Sequence, residues 1–472
     1  MHYPTLRPLA LLAFAFAAAC SPPVNTSDVP STDAADSNTA DTTDVIDDVP
    51  MTDAGDPRAP LAYMPTGCSY MARTTAGTLF NRMGDTSTFG AAPDPQNVHV
   101  TWASDPSNSA VVLWATDLAT QATVVQYGTD MAMLNTNAMG HLTSSGATAS
   151  AAHMHEVHLC GLMPDTTYYY RAGGEGHFSA VQHFRTAPAS GGTNYDVNFA
   201  VAGDTRDNFS IWTMVQSQIL AMSGASTPDF LMFSGDAIPL GTDQNGWNQW
   251  FAASSNTMTQ MPYVFAHGNH EALSLNYLVQ IAQPQTGSAE SDELYYSFDY
   301  GPMHIVVLND SPAMGDIAGV VAGTERTWLM NDLAAVNRTR TPWVIAFHHK
   351  GAFSSSNHTM DADTVAIRAA WPPVYAQGHV DVVFNGHDHN FEVTQPLQGD
   401  GTVAPSGMPG TVYYTAAGAG ADLYASATTA WTRHSESVVN YLLVHVTEHS
   451  FQVTPYRLDG TVIDQGTLSL TR

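Results

Sequence analysis

Five apolar runs of strand length, each followed by a polar motif, place the strongest constraint on how this chain can fold. Continuous apolar runs of this length are typical of strands that are buried on both faces. They occupy residues 197–202, 230–234, 263–266, 344–347 and 380–385. Segments 210–222 and 324–336 carry apolar residues at roughly helical spacing. Because strands alternate with helices, the sequence predicts an α/β layered fold.

The polar motifs follow directly after these runs. They are Gly203-Asp204, Gly235-Asp236, Gly268-Asn269-His270-Glu271, His348-His349 and Gly386-His387-Asp388-His389. Because open α/β sheets bind ligands beyond the carboxyl ends of their strands, we expect the motifs to converge on one edge. Asp, Asn and His supply oxygen and imidazole ligands to metal ions, and the motifs contain no cysteine, which excludes a thiolate zinc site. Two metals about 3.5 to 4 Å apart need one bridging carboxylate and separate ligands for each.

Each motif alone has a simpler interpretation. A lone Gly-Asp is usually a turn, and a His-x-His pair at a strand end is more often surface polarity. The order and position of all five together favour a two-metal site. For four further residues, a supporting or solvated role explains their presence as well as contact with the substrate does. They are His349, Lys350, Asp388 and Glu392. We interpret another cluster as part of a strand in a separate domain, namely His153, His155 and His158.

From about Asn198 to the C-terminus, the chain resembles the calcineurin-like metallophosphoesterases, and within them the purple acid phosphatases. The metal motifs carry the resemblance together with segments 294–301, 328–333 and 411–420. It implies an α/β metallophosphoesterase fold, a β-sheet sandwich flanked by helices, over residues 195–472. It also implies metal-dependent hydrolysis of phosphate esters, with an activated hydroxide as nucleophile and monoesters as the first choice of substrate. Phosphodiesters are the alternative within the same fold, and a catalytically degenerate surface-binding lipoprotein is the alternative outside catalysis.

The resemblance also implies a role for each motif residue. Asp204 and His389 would bind the first metal, Asp236 would bridge, and the second metal would be bound by Asn269, His348 and His387. His270 would donate a proton to the leaving oxygen or hold the phosphate, a role that suits an imidazole. His358 falls where the purple acid phosphatases keep a phosphate-facing histidine.

Two positions depart from the family. The purple enzymes place an iron-binding tyrosine three residues after the bridging aspartate, where this chain has Pro239, so we expect no purple colour. Many other members place a histidine two residues after the first aspartate, where this chain has Arg206. The gap in the first metal site could be filled by Asp207, Asn208, water or His267. Arg206 could instead bind the substrate phosphate. Iron, manganese, zinc and mixed pairs all remain compatible with these ligands.

Residues 61–190 have a different pattern, with short alternating runs separated by turns, which predicts an all-β sandwich. The stretch 161–170 resembles the tyrosine corner of fibronectin type III domains, and purple acid phosphatases carry a similar domain at this place. We expect it to be structural and to frame one wall of the active site, with carbohydrate binding as the alternative.

The first 60 residues predict export. Residues 1–20 combine Arg7, an apolar stretch and small residues before Cys20, which resembles a bacterial lipoprotein signal, with ordinary secretion as the alternative. Residues 21–60 are rich in Asp, Thr, Ser, Ala and Pro and predict a disordered acidic tether. Cys68 and Cys160 remain as a disulfide pair or as two free thiols.

The chain of 472 residues has a formal net charge of −28 with only 15 Lys and Arg residues. Nucleic acids and anionic membrane surfaces require basic patches that so few cations can hardly build. We therefore expect a small phosphorylated substrate, no docking surface for nucleic acid, and membrane contact only through a lipid anchor.

Overall fold

The computed structural model describes residues 60–75, 78–144, 152–221, 227–287, 293–311 and 323–472. The predicted signal (1–20) and all but the last residue of the predicted tether (21–60) lie outside these ranges. Among the helices that the structure describes, none is long and apolar enough to cross a membrane.

The amino-terminal part is a sandwich of two antiparallel sheets. One has the strand order β3-β8-β9-β5-β4; the other has the order β11-β10-β6-β7, and β12 also pairs with β10. A separate hairpin, β1–β2, precedes them. The strands are β1 Ala62–Tyr63, β2 Ala72–Arg73, β3 Leu79–Met83, β4 Gln96–Thr101, β5 Ser109–Thr116, β6 Val124–Gly128, β7 Thr136–Met139, β8 His141–Ser144, β9 His153–Cys160, β10 Thr167–Gly174, β11 His177–Phe178 and β12 Gln182–Arg185.

The predicted tyrosine corner has its expected contact. The backbone N–H of Met163 donates to the hydroxyl oxygen of Tyr168 over 3.0 Å. Tyr168 and Trp114 lie in the apolar core between the two sheets. The all-β prediction for this part is confirmed, and its assignment to the fibronectin type III family stays a prediction.

The remaining strands form two further sheets. Sheet I has the order β15-β14-β13-β23-β24-β25, and sheet II has the order β16-β17-β18-β19-β21-β20-β22. Their strands are β13 Val197–Ala202, β14 Phe230–Phe233, β15 Tyr263–Phe265, β16 Tyr296–Tyr300, β17 Met303–Val307, β18 Trp343–Lys350, β19 Val382–Gly386, β20 Phe391–Thr394, β21 Val412–Ala416, β22 Thr432–Glu436, β23 Asn440–Val446, β24 Ser450–Arg457 and β25 Leu468–Thr471.

Helices cover the outer face of each sheet. Those described are α1 Phe209–Ala221, α2 Gln244–Met258, α3 Leu275–Gln280, α4 Thr324–Ala335, α5 Ala362–Ala370 and α6 Pro372–Gly378. Asp243 caps α2 by accepting from the backbone N–H of Asn245, and Trp247 and Trp250 bury the inner face of that helix against sheet I. Helices α4 to α6 pack on sheet II in the same way.

The main core lies between the two sheets and includes Phe199, Met232, Ile345 and Phe384, all fully buried. β13, β14 and β15 run parallel to one another, as do β17, β18, β19 and β21. The predicted sandwich of sheets flanked by helices is therefore confirmed.

The amino-terminal sandwich is attached to sheet I through β4. The hydroxyl of Thr101 donates to the carbonyl of Ala282 over 2.8 Å, and Nε2 of His99 lies 2.8 Å from the carbonyl of Gln280. Trp102 packs against Phe230 of the main core, with ring centroids 5.7 Å apart. These contacts involve no motif residue, so they do not support the expected active-site wall.

Candidate metal centre

The motif residues come together where the two sheets meet. Asp204, Asp236 and Asn269 follow parallel strands of sheet I, whereas His349 and His387 lie at the ends of strands of sheet II. The expected convergence on one edge is thus corrected: the motifs occupy the carboxyl ends of strands in two facing sheets. Sequence runs show where strands end, but they do not show which strands share a sheet.

Two overlapping groups of ligand atoms could each hold a metal ion. One consists of Asp204, Asp236 and His389, and the other of Asp236, His349 and His387; within each group the ligand atoms lie within 4.8 Å of one another. Asp236 belongs to both groups. Oδ1 of Asn269 lies 3.0 Å from Nε2 of His349 and so adjoins the second group. Asp204, Asp236 and His389 are buried, with at most 1% of each residue exposed.

The backbone at this centre adopts conformations that are rare for residues with side chains. Asp204, Asp236 and His387 have φ values of 57°, 55° and 70°, in the left-handed region. Such conformations cost about 1–3 kcal/mol each and cluster at functional sites. They turn each side chain back towards the other ligands at the point where its strand ends.

Two glycines allow the backbone to approach the carboxylates. A Cβ atom at Gly268 would lie 2.4 Å from Oδ1 of Asp236, and one at Gly386 would lie 2.4 Å from Oδ2 of Asp204. Both distances are far inside van der Waals contact. The glycine that opens each of these two motifs is therefore needed to make room for a carboxylate from another motif.

The histidines are oriented by hydrogen bonds to backbone carbonyls. Nδ1 of His349 donates to the carbonyl of Ser234 over 2.6 Å, and Nδ1 of His389 donates to that of Asp422 over 2.8 Å. Their Nε2 atoms face Asp236 and Asp204 at 3.4 Å and 3.8 Å, respectively. Histidines that bind metals are typically fixed in this way by a hydrogen bond from the second ring nitrogen.

The charges at this centre also fit a cation. Burial, together with the charge of Asp236, raises the pKa of Asp204 well above its ordinary value. Burial alone would lower the pKa of His349, but the Asp236 carboxylate raises it to about 10, and the same interaction lowers the pKa of Asp236. Burial lowers the pKa of His389 to about 4, so its imidazole is neutral at pH 7 and able to bind a metal. Two adjacent buried carboxylates require positive charge, which bound metal ions would supply.

The structure places His349 at the centre, and not His348, which the sequence analysis predicted as the ligand. Nδ1 of His348 lies 3.0 Å from Oδ2 of the buried Asp310, and its ring packs against Trp371 at 4.8 Å. Adjacent residues of a strand point to opposite faces. Ile345 and Phe347 lie in the core between the sheets, so His349, with the same alternation, faces the centre, and His348 faces the helices.

The three residues predicted to contact substrate lie around the rim. Nε2 of His270 is 3.8 Å from Oδ2 of Asp236, and Arg206 contacts the same nitrogen through its guanidinium group. The ring of His358 lies 4.2 Å from that of His387. All three side chains are partly exposed, at 29% for His270, 17% for Arg206 and 27% for His358. The structure therefore places His270 and Arg206 beside Asp236, and His358 beside His387.

Family comparisons agree with this arrangement. The model of the purple acid phosphatase N-terminal domain matches residues 95–186, and that of the calcineurin-like phosphoesterases matches residues 197–391. The chain is a purple acid phosphatase-like metallophosphoesterase.

Individual relatives are similar to this chain in sequence or in fold. Purple acid phosphatase 15 of Arabidopsis thaliana is 29% identical over 341 residues, which cover 63% of this chain and 62% of that protein. Purple acid phosphatase 22 of the same plant is 29% identical over 310 residues, covering 63% and 67%. The chain thus spans about two thirds of the length of these relatives. The solved structure of purple acid phosphatase PPD1 from yellow lupin has the same fold, with a TM-score of 0.67 at 17% identity, covering 80% of this chain and 75% of that one.

The structure shows the surroundings of the positions at which this metallophosphoesterase differs from the purple enzymes. Pro239 offers only its carbonyl, which accepts from Nδ1 of His270 over 2.7 Å. Of the residues suggested to fill the first-metal gap, Asn208 accepts from the backbone of α1, and His267 packs against Tyr277. Asp207 is 54% exposed and lies 3.8 Å from Arg206. Within the described part of the chain, the first metal position therefore has a group of three side chains that could bind the ion, those of Asp204, Asp236 and His389.

Four further polar residues in or near the motifs belong to neither ligand group and have other partners. Glu271 accepts from three backbone N–H groups, those of Asp236, Ala237 and Gly268, at 2.7–3.0 Å. Asp388 accepts from the backbone N–H of His358 over 3.2 Å. Lys350 pairs with Asp363, and Glu392 accepts from Ser355 and Thr432.

Sequence reasoning missed one residue at the rim. Tyr424 lies between β21 and β22, and its ring stacks on that of His389 at 4.1 Å and 20°. Its backbone N–H donates to the carbonyl of His389 over 2.9 Å. It follows no strand and belongs to no motif, so nothing in the sequence distinguished it from the other tyrosines.

Proposed function

We propose that this protein hydrolyses phosphate esters with a two-metal centre, and that monoesters are its preferred substrates. The observation that carries the proposal is the position of Asp236, which belongs to both ligand groups. A carboxylate shared by two sets of ligands is what a bimetallic centre requires. The membership of the chain in the purple acid phosphatase-like phosphoesterases supports the same reaction class.

The ligands divide into two sets under this proposal. Asp204, Asp236 and His389 would hold one ion, and the other would be held by Asp236, Asn269, His349 and His387. When bound, such a pair of ions provides positive charge for the phosphoryl group and an activated water as nucleophile. His389 is neutral at pH 7 and ready to bind an ion, whereas His349, whose pKa is raised to about 10, would release its Nε2 proton as the ion binds.

The rim residues would receive the substrate. Arg206 offers a planar guanidinium group that can bind two phosphate oxygens at once. In the structure it contacts Nε2 of His270, whose Nδ1 donates to Pro239. Nε2 of His270 is then an acceptor, so Arg206 has to move to the phosphate before that nitrogen can carry a proton to the leaving oxygen. His358 would complete the site on the opposite side of His387.

The test is hydrolysis of matched aryl phosphate monoesters and diesters by the purified full-length chain, after metals are removed and single metals are added back. Monoester turnover that depends on added metal, and is lost in Asp236→Asn, is the expected result. Faster diester turnover would assign the chain to the phosphodiesterase alternative. A folded chain that hydrolyses neither substrate with any metal would overturn the proposal and favour a catalytically degenerate binding protein, for which the three-ligand first position is the supporting observation.

We further propose that the protein is exported and lipid-anchored through Cys20. The composition of residues 1–60 supports this, as does the disulfide between Cys68 and Cys160, because such bonds persist in oxidising compartments. Mass spectrometry of the mature chain and fractionation of Cys20→Ala test it. A soluble wild-type protein with an unmodified Cys20 would contradict it.

A further inference from the structure

A second cluster of potential ligands lies outside the catalytic centre, in the amino-terminal sandwich. It consists of His141, Glu156 and His158, whose ligand atoms lie within 4.8 Å of one another. Nε2 of His158 is 2.8 Å from Oε1 of Glu156, and Nε2 of His141 is 3.6 Å from Oε2. The histidine side chains are 2–3% exposed, and that of Glu156 is 18% exposed.

The strands place these three residues in a fixed arrangement. His141 on β8 is the direct cross-strand partner of Glu156 on β9. His158 is two residues further along β9 and so shares the face of Glu156. The other histidines of β9, His153 and His155, point to the opposite face, where they contact Thr120, Thr116 and Thr123. The triplet noted in the sequence is therefore divided, and a different triplet forms.

The hairpin β1–β2 holds both histidines from the other side. The hydroxyl of Tyr63 lies 3.0 Å from Nδ1 of His141, and that of Tyr70 lies 2.9 Å from Nδ1 of His158. Both Nε2 atoms are consequently directed at the carboxylate. This is the orientation that hydrogen bonds to the second ring nitrogen impose on histidines that bind metals.

The distances fit a small cation better than a simple ion pair. The contact of His158 with Glu156 is an ordinary hydrogen-bond distance, but 3.6 Å is too long for a hydrogen bond from His141. Tetrahedral zinc with bonds of about 2.0–2.1 Å separates its ligand atoms by about 3.3 Å. The two observed distances lie on either side of that value. Two imidazoles and one carboxylate form a recognised zinc ligand set, with water as the fourth ligand.

We propose that His141, Glu156 and His158 bind a zinc ion in the sandwich, beneath the β1–β2 hairpin. The disulfide between Cys68 and Cys160 joins the same two parts, with 5.0 Å between the Cα atoms. The hairpin is thus attached at one covalent point and, through Tyr63 and Tyr70, at one metal site. The site is independent of the proposed phosphatase reaction, and its three protein ligands leave the fourth zinc position to water.

The first experiment counts zinc in the full-length chain by inductively coupled plasma mass spectrometry after dialysis against metal-free buffer. We expect the Asp236→Asn variant to retain one zinc per chain, and the double variant with Glu156→Gln to retain none. His153→Gln is the matched control, because it lies on the opposite face of the same strand and should leave the count unchanged. If Asp236→Asn and its Glu156→Gln derivative hold equal amounts of zinc, or if both hold none, the proposal is overturned.

A milder variant covers the case in which Glu156→Gln does not fold. Tyr63→Phe keeps the ring but removes the hydroxyl that orients His141, and should weaken zinc binding by about 10- to 100-fold in competition with a chelator. Unchanged affinity would contradict the assigned site. Phosphatase turnover per chain should be the same in the single variant Glu156→Gln and in the wild-type protein. The zinc count decides this proposal even if the chain hydrolyses no phosphate ester.

Discussion

Nε2 of His349 lies 3.4 Å from Oδ1 of Asp236, although His349 lies on a strand of sheet II and Asp236 follows a strand of sheet I. The preceding residue, His348, lies on the opposite face of β18 and pairs with Asp310. Two adjacent histidines therefore have separate roles, one at the centre and one beneath the helices.

His349→Ala and His348→Ala should have different effects. Loss of His349 removes a ligand, so we expect loss of the second metal and a fall in turnover of at least about 100-fold, the upper end for residues that only orient ligands. Loss of His348 removes one of the hydrogen bonds to the buried Asp310, which keeps those from the Lys350 backbone and the Ser311 hydroxyl, so it should destabilise the fold by about 1–3 kcal/mol. Metal content and chemical denaturation separate the two. A His348→Ala protein that is stable but metal-free would restore His348 as the ligand.

Gly268→Ala and Gly386→Ala should empty the centre and also lower the stability of the chain, because each added Cβ would lie within 2.8 Å of a backbone atom, the nitrogen of Asp236 or the carbonyl oxygen of Ser234. Each added Cβ would lie 2.4 Å from a carboxylate oxygen, of Asp236 or Asp204, and would displace it. Gly351→Ala is the control, since its Cβ would have no neighbour nearer than 3.7 Å. Metal content and circular dichroism provide the measurement. Full metal content in both variants would show that the carboxylates can shift without loss of ligation.

His270→Ala should spare the metals and reduce turnover. Its Nε2 atom lies beside Asp236 but belongs to neither ligand group. A positioned proton donor contributes about 10²- to 10⁴-fold, so kcat should fall by that order for substrates with poor leaving groups, and less for activated aryl esters. Asp236→Asn, which should lose both metal and turnover, is the reference. Loss of metal from His270→Ala would contradict the role assigned to it.

Iron-loaded protein should lack the purple colour. Residue 239 is a proline, so the expected tyrosine ligand is missing. Visible absorption of the iron-reconstituted chain tests this. If a purple band appears, its loss in Tyr424→Phe would identify Tyr424, which stacks on His389, as the source of the missing ligand.

Stability should fall from pH 6.5 to pH 9 through His304. Burial alone would lower the pKa of His304, but hydrogen bonds to Asp299 and Asp332, at 2.7 and 2.8 Å, raise it to about 9. Because the folded pKa exceeds the unfolded value, this stabilisation is complete below about pH 6.5 and is lost as pH rises through 9. It amounts to at most about 3 kcal/mol. The difference in unfolding free energy between wild type and His304→Gln, measured in urea, should shrink over this interval; a constant difference would argue against it.

The sequence was sufficient for the strands that carry the motifs. Residues 197–202 form β13 as predicted, and the other four runs overlap β14, β15, β18 and β19. Apolar continuity and strand-end polarity are local properties, so they can be recognised without knowledge of the fold. Helical spacing of apolar residues is also a local property, and it predicted helices α1 and α4.

The choice between His348 and His349 could not be made in the same way. Both alternating sets of β18 are apolar, because Ile345 and Phe347 face the core between the sheets while Val344 and Ala346 face the helices. A strand buried on both faces gives no signal about which face contains the site. The contacts of Tyr424 and of the cluster around Glu156 depend on pairing between distant segments, which the sequence pattern does not contain.

The division of the centre between two sheets gives the hydrophobic core a part in catalysis. Phe199 of sheet I and Phe384 of sheet II meet edge to face, with ring centroids 6.1 Å apart, among the residues that separate the sheets. Because this core lies between the sheets that carry Asp236 and His349, its packing would affect the spacing of ions in the proposed two-metal centre. Changes in the volume of these core side chains would alter the reaction geometry without touching a ligand, so drift in the core and drift in substrate preference would be linked during evolution.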